Sequence, residues 1–455
     1  MARAGAAHGE IQMTEGSLWK NILIFSIPLV FSQLLQVMFN MADVAVVGKF
    51  ASDTALGSVG STSTLVTLFT GFLIGMGNGV NVRVAQHLGA QHREETSRAV
   101  HTAFLLCLLA GLGIMALCLA LAANMLEMLH TKDDLLPGAV LYFRIYALGM
   151  PALGVFNFGN AVLSANGDTK RPLLYLTIAG ILNVILNLFF VIVCKMAADG
   201  VALASVISQY VSAILVVWHM MRLNDACRFR FRELRFHGDE VGRILGLGVP
   251  AGIQHMIFAI ANLFIQAAVN SFDSTMVSGN AAAANTDTII YNIMMAFYTA
   301  CSTFMGQNWG AGHKKRMMDS YLISLFYAFA VAAVLGVAFY FAGRPFLYVF
   351  TNSADVVEAG MQRMKIMCFS YAISAFMDNT IAACRGLGRT IVPTMVVIMG
   401  SCVFRVIWVY TIFAHYHTIP SLYLLYAFSW TITAAAEIVY FLHCFRKLRL
   451  VPETA

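Results

Sequence analysis

One carboxylate lies alone inside a long apolar stretch near the beginning of this 455-residue sequence. Asp43 follows a run of apolar or small residues and precedes the apolar segment 44–47. An ionisable group inside a membrane is costly unless it is paired or hydrated, so such groups are often functional. A carboxylate there can bind a proton or a cation and release it later. The alternative is an acid at the outer end of a helix that reaches the lipid headgroups.

Three neutral polar residues in later apolar runs could also contribute to binding an ion. Asn183 and Asn187 are four residues apart, so they share one face of a helix and can present two amide oxygens to one point. Ser205 could add a hydroxyl. Each also has a structural interpretation, because asparagines hydrogen-bond neighbouring membrane helices and serines bond back to their own helix.

The second half of the sequence has its own ionisable residues in apolar surroundings. These second-lobe candidates are Asp287, Asp378, Arg405 and Glu437. For each residue taken alone, an ion pair between helices competes with a role in transport. Arg405 is the obvious counter-ion for one of the acids, and the sequence leaves open which one.

The composition predicts that membrane helices position these residues. Hydrophobic residues make up 59% of the chain and charged residues 11%, against about 25% charged residues in soluble domains. Apolar runs long enough to cross a bilayer occur at 18–47, 55–80, 98–123, 138–163, 171–194, 200–221, 244–269, 277–303, 319–342, 360–384, 392–414 and 421–443. The runs are continuous and lack period-two alternation, which favours helices over a barrel. We therefore predict an all-α polytopic membrane protein with about twelve transmembrane helices.

The chain also repeats itself. Residues 86–93 read Gln-His-Leu-Gly-Ala-Gln-His-Arg, and residues 307–314, which lie 221 positions later, read Gln-Asn-Trp-Gly-Ala-Gly-His-Lys. A repeat of this length is typical of the paired helical bundles of secondary transporters. It predicts two pseudo-symmetric six-helix bundles that have diverged in charge, since Asp378 corresponds to Asn157.

Basic residues are concentrated in every second loop and in the carboxyl tail, which places both termini in the cytoplasm by the positive-inside rule. We expect a multi-pass protein of the cell membrane, and a bacterial cytoplasmic membrane in particular. Met13 could be the functional start. The predicted segments are a cytoplasmic N-terminal extension 1–17, an N-terminal lobe 18–222, a cytoplasmic linker 223–242, a C-terminal lobe 243–446 and a cytoplasmic tail 447–455.

Several functions are disfavoured by what the sequence lacks. It contains no phosphate-binding glycine loop, no nucleophile elbow and no paired Cys/His metal spacing, so we expect no enzyme activity and no cofactor. The nine cysteines are scattered singly, which favours reduced or buried thiols. The formal charge of +6 is explained by topology and gives no reason to expect nucleic-acid binding. We expect a monomer in contact with membrane lipid.

In combination, these motifs resemble the multidrug and toxic compound extrusion (MATE) family. The resemblance covers about residues 13–446. It rests on Ser26-Ile27-Pro28 with Asp43 and Gly48, the paired Gln-x-x-Gly-Ala-x-His phrases, Asn166-Gly167-Asp168-Thr169-Lys170-Arg171-Pro172 and Arg385-Gly386-Leu387-Gly388. The family implies two six-helix bundles around a central cleft that alternates between inward- and outward-open states. It also implies export of compounds against sodium or proton influx.

By this resemblance, the family's amino-lobe cation site falls on Asp43, Asn183, Asn187 and Ser205. Some relatives carry Asp at the second helix-five position, where this chain has Asn187. Asp43 is then the only evident carboxylate of the site. It could hold a proton or a sodium ion, and one well-placed aspartate favours the proton.

A branch of the family uses a glutamate in helix seven and an aspartate in helix ten instead. Those positions fall on Phe258 and Ser374 in this chain, and Asp378 lies one turn beyond the second. These departures favour the amino lobe as the coupling site.

The expected substrates are amphiphilic, cationic small molecules. Twenty-five methionines and an aromatic content of 12% provide adaptable surface for such compounds, and the intramembrane acids favour organic cations. One alternative is a lipid-linked precursor flippase of the wider superfamily, for which a strongly cationic cleft and extra helices are expected. Another is a non-transporting membrane receptor or scaffold, for which a long polar domain or tail is expected.

Overall fold

Long helices form almost the whole of the described chain. The computed structural model describes residues 11–448, and that part of the chain contains no β-strand. Helices satisfy every backbone hydrogen bond within one segment, as a hydrocarbon environment requires. The extension predicted for 1–17 and the tail predicted for 447–455 lie partly outside the described residues.

The helices are α1 Leu18–Phe50, α2 Asp53–Gly89, α3 Arg93–Met128, α4 Leu136–Ala147, α5 Met150–Ala165, α6 Lys170–Leu188, α7 Ala198–Met221, α8 Gly238–Val269, α9 Ser274–Gly310, α10 Lys314–Phe341, α11 Gly343–Leu347, α12 Ala354–Gly386, α13 Ile391–Val397, α14 Phe404–Trp408, α15 Ala414–Tyr416 and α16 Ile419–Lys447. One π-helical turn, Phe189–Val193, follows α6, and two others join α13, α14 and α15 into one segment. That segment, Ile391–Tyr416, is long enough to cross a membrane.

Within residues 11–448, eleven helical segments are long and apolar enough to span a bilayer, and the bent pair of α4 and α5 makes a twelfth. The prediction of about twelve transmembrane helices is thus confirmed. The run predicted at 138–163 is a pair of helices bent by 44° rather than one straight helix. Pro151 stands at the beginning of α5, where its missing N–H does not interrupt the helical hydrogen bonds.

The chain divides into two compact units whose limits fall inside two helices. The first unit contains Phe31–Met256, and the second contains Met13–Val30 together with the chain from Ile257 onward. The N-terminal halves of α1 and α8 therefore group with the opposite half of the repeat. Each of these helices contains an internal proline, Pro28 or Pro250, in the half that changes unit. The boundaries between the units therefore lie within α1 and α8 and not at the predicted linker 223–242.

In the first unit, α2 and α8 approach closely through glycines spaced four residues apart. A Cβ atom on Gly75 would collide with the backbone of Gly252, and one on Gly79 would collide with the backbone of Gly248. Pairs of small residues at this spacing allow membrane helices to pack backbone against backbone.

A buried ion pair fixes the beginning of α8 to α2 in the same unit. Arg83 donates from Nε to Glu240 Oε2 at 2.8 Å and from Nη2 to Glu240 Oε1 at 2.6 Å. His87 Nε2 lies 3.1 Å from the same Oε1. Such a two-pronged contact between a guanidinium and a carboxylate combines charge with fixed geometry.

In the second unit, a different arginine holds the segment before α1. Arg316 donates to the backbone oxygens of Met13, Glu15 and Gly16 at 3.1, 3.2 and 3.0 Å. The side chain of Met13 is completely buried. Each half of the repeat thus begins with a segment that is fixed by an arginine.

Candidate functional site

Four polar side chains of the first unit form a closed ring of hydrogen bonds. Asn187 Nδ2 donates to Asp43 Oδ1 at 2.5 Å and to Asn183 Oδ1 at 3.2 Å. Asn183 Nδ2 donates to Ser205 Oγ at 3.3 Å, and Ser205 Oγ donates to Asp43 Oδ2 at 3.3 Å. The structure therefore brings together the four residues that the sequence singled out as a cation site.

Three helices position this ring. Asp43 is on α1, the asparagines are one turn apart on α6, and Ser205 is on α7. The absence of a side chain at Gly180 lets the ring of Phe39 approach α6, because any Cβ there would overlap that ring. Phe39 lies one helical turn before Asp43, so this close approach sets the carboxylate against the face that carries the asparagines.

The ring combines burial with unused hydrogen-bonding capacity. Asn183, Asn187 and Ser205 are 6%, 0% and 7% exposed, whereas Asp43 is only partly buried. The amide oxygen of Asn187 is buried and has no hydrogen-bond partner in the described part of the chain. If the amide turned, this oxygen could accept a hydrogen bond from protonated Asp43 or contribute to binding a small cation. The residues present thus fit a transported proton or monovalent ion.

Two tyrosines near this ring were not identified from the sequence. Tyr142 and Tyr146, both on α4, are close enough to Asp43 to interact with its charge. Their rings stack with centroids 6.0 Å apart. The two tyrosines are four residues apart, as the asparagines are, and this spacing is the signal that could have identified them. Phenols in an apolar run, however, usually indicate packing.

In the second unit, Asp287 forms an ion pair with an arginine that the sequence analysis did not single out. Arg363 donates from Nε to Asp287 Oδ2 at 3.1 Å and makes a second, shorter contact with the same oxygen. It also donates to the Tyr423 hydroxyl at 3.1 Å and to the Asn280 carbonyl at 3.3 Å. The counter-ion of Asp287 is therefore Arg363, and the structural interpretation of this acid is favoured.

Arg405 is surrounded by aromatic rings. Its side chain is 2% exposed, and its Nε donates to Ser429 Oγ at 3.2 Å. The guanidinium carbon lies 4.4 Å from the ring centroid of Tyr426 and 5.5 Å from those of Phe258 and Trp430. Phe258 is the residue onto which the family resemblance carried the helix-seven acid of one branch. An aromatic face can stabilise a buried cation in place of that acid.

Among residues 11–448, the two remaining second-lobe candidates have no ion-pair partner within hydrogen-bonding distance. Asp378 interacts electrostatically with Arg405 and Arg385, and it is only partly buried. Glu437 is completely buried, and neither of its carboxyl oxygens has a hydrogen-bond partner among residues 11–448. Within those residues, no hydrogen bond joins any two of Asp287, Asp378, Arg405 and Glu437. The second-lobe candidates are therefore dispersed, unlike the ring around Asp43.

Sequence comparisons match both halves of the chain to one family. The MatE family model matches residues 28–189 and 250–411. A Bacillus subtilis protein named probable multidrug resistance protein YpnP is 28% identical over 358 residues, which are 79% of this chain and 80% of that protein. A Shewanella oneidensis protein named FAD transporter is 23% identical, over 77% of this chain and 78% of its own length.

Structure comparisons agree with this match at the level of the fold. A crystal structure of MATE in the bent conformation has a TM-score of 0.89 at 19% identity, covering 97% of this chain and 98% of the other. A MOP superfamily transporter from Pyrococcus furiosus has a TM-score of 0.90 at 20% identity, covering 97% and 99%. At these identities the likeness concerns the fold alone.

Proposed function

This chain belongs to the multidrug and toxic compound extrusion family, and we propose that it exports amphiphilic, mainly cationic small molecules in exchange for protons. The observation that carries this proposal is the ring of Asp43, Asn183, Asn187 and Ser205 in the first unit. We further propose that the protein acts as a monomer in the cell membrane, by alternating access, with both termini in the cytoplasm.

The ring supplies a way to couple a proton to a change in the helices. Ionised Asp43 accepts hydrogen bonds from Asn187 and Ser205. When Asp43 takes up a proton, one of its oxygens becomes a donor, and the contact with the Asn187 amide N–H is lost or reversed. If the amide turns, the amide oxygen of Asn187, which is unpartnered among residues 11–448, can then accept a hydrogen bond from the carboxyl O–H of Asp43. Protonation therefore changes how α1 is held to α6.

The direction of one amide favours a proton over sodium. The Asn187 Nδ2 group is directed at Asp43 Oδ1 from 2.5 Å. Its hydrogen carries a partial positive charge, so it occupies the place where a cation would bind the carboxylate. Sodium would require this amide to turn and several oxygens to converge, whereas a proton requires only the carboxylate.

Chemistry within the spans supports cationic amphiphiles as substrates. Twenty-five methionines provide flexible, polarizable side chains that adapt to differently shaped apolar groups. Acids such as Asp43 and Asp378 provide charge complementarity to an organic cation. One similar protein is named FAD transporter, and that name indicates a different cargo.

Expression of the protein in a host that lacks its own efflux pumps should lower the retention of ethidium and related cationic dyes. The physical reason is that proton influx through Asp43 would drive dye outward against its gradient. Dye fluorescence in cells measures retention, and the matched control is the Asp43→Asn variant expressed to the same level. Equal retention in cells with and without the protein, for several dyes, would contradict the proposal.

A further inference from the structure

Glu437 is a buried acid for which the described residues supply no hydrogen-bond partner. It lies on α16, ten residues before the end of that helix at Lys447, or about 15 Å along the axis. Its side chain is completely buried, and both carboxyl oxygens are unpartnered in the described part of the chain. An ionised carboxylate in such a place would be neither hydrated nor hydrogen-bonded, which is strongly unfavourable.

Two ionisable groups of the neighbouring helix α12 are close enough to Glu437 to interact with its charge. The Arg385 guanidinium is the charge that acts on it, and the Cys384 thiol also interacts with it. Arg385 is itself hydrogen-bonded to the Tyr298 hydroxyl of α9 and lies 5.8 Å from the centroid of the Tyr298 ring. On α16, Tyr440 and Cys444 interact with Cys384. The positive charge of Arg385 is thus near Glu437, but its guanidinium is hydrogen-bonded to Tyr298.

The repeat shows that packing does not require an acid at this position. The residue 221 positions earlier is Val216, which is also completely buried. The counterpart of Arg385 at the same offset is Ser164. The first half of the repeat therefore fills the equivalent place with an apolar side chain and has neither the acid nor the arginine.

We propose that Glu437 is a second proton-binding residue, which carries its proton in the conformation described here and releases it in another conformation. In the second state, the carboxylate would pair with Arg385, which would give up its hydrogen bond to Tyr298. The step is an acid dissociation in which the O–H bond of the carboxyl group breaks and water accepts the proton. This inference rests on the proposed function in one respect: only the role of the bound proton in driving export depends on it.

Infrared spectroscopy of the purified protein in lipid nanodiscs tests the protonation directly. The wild type should show the C=O stretch of a buried protonated carboxylic acid at neutral pH. Glu437→Gln should lose the intensity of one such group, and Glu437→Asp should shift that band. The matched control is Glu358→Gln, which removes an acid from an exposed pair with Arg344 and should leave the band unchanged.

The outcomes separate this inference from the proposed function. If Glu437→Gln and Glu437→Asp both leave the carboxylic acid band unchanged, Glu437 is ionised and the inference is wrong. If the band is lost but the wild type exports nothing under a proton gradient, the proton site stands and the proposed function fails. If both hold, Glu437→Gln should also lower the number of protons taken up per molecule exported.

Discussion

Asp43→Asn should reduce gradient-driven export to background while leaving the protein folded and inserted. Asparagine has nearly the shape of aspartate and can still hydrogen-bond Asn187 and Ser205, so the ring can persist. It cannot take up or release a proton, and it carries no charge for a cation. Export from energised vesicles measures the loss, and the size-exclusion profile of the purified variant shows that the fold is retained.

The matched control for that variant is Asp378→Asn, which removes the same chemical group from the second unit. In the described part of the chain, Asp378 has no ring of hydrogen-bonded partners like the one around Asp43, so most export should remain. Ser205→Ala should have an intermediate effect, because it removes a hydrogen bond of 3.3 Å worth about 1 kcal/mol. Full export by Asp43→Asn together with its loss in Asp378→Asn would transfer the coupling site to the second unit.

Arg83→Met should destabilise the protein by about 3–5 kcal/mol, because it leaves the carboxylate of Glu240 buried without its partner. Both side chains of this pair are less than a tenth exposed, at 9% for Arg83 and 7% for Glu240. His87 is the remaining neighbour and provides only one contact. Denaturation of the purified protein in detergent measures the change.

The control for this prediction is Arg344→Met, which breaks an ion pair of similar length on the surface. Arg344 and Glu358 are 65% and 50% exposed and lie 2.7 Å apart. A solvent-exposed pair of this kind contributes about 0–1 kcal/mol. Equal losses of stability in the two variants would contradict the prediction that burial makes the loss of the Arg83–Glu240 pair more costly.

The residues around Asp43 could be found from the sequence because their types are unusual in apolar runs. One acid in a span and two asparagines four residues apart are signals that a single sequence carries. Closure of the ring could not be predicted, because it depends on how Phe39 fits against Gly180 on another helix. The tyrosines of α4 were missed for the same reason, since their distance from Asp43 depends on packing between helices.

In the second unit, the sequence shows which acids lie in apolar runs, but it does not show which arginine pairs with each acid. Arg405 was the expected counter-ion of one of the acids, without a choice among them, and the structure pairs Asp287 with Arg363 because α9 and α12 pack side by side. The bend between α4 and α5 was missed as well. The apolar run continues through Gly149 and Pro151, so hydropathy gives no sign of a break there.

Ion-coupled export is the central claim, and flux from proteoliposomes with each gradient imposed separately tests it most directly. We expect a proton gradient at constant sodium to drive efflux of a fluorescent cation by the wild type and not by Asp43→Asn. A sodium jump at clamped pH and zero membrane potential should drive none. Sodium-driven efflux under those conditions that fails in Asn183→Ala would contradict proton coupling, and efflux by Asp43→Asn at the wild-type rate would contradict the site itself.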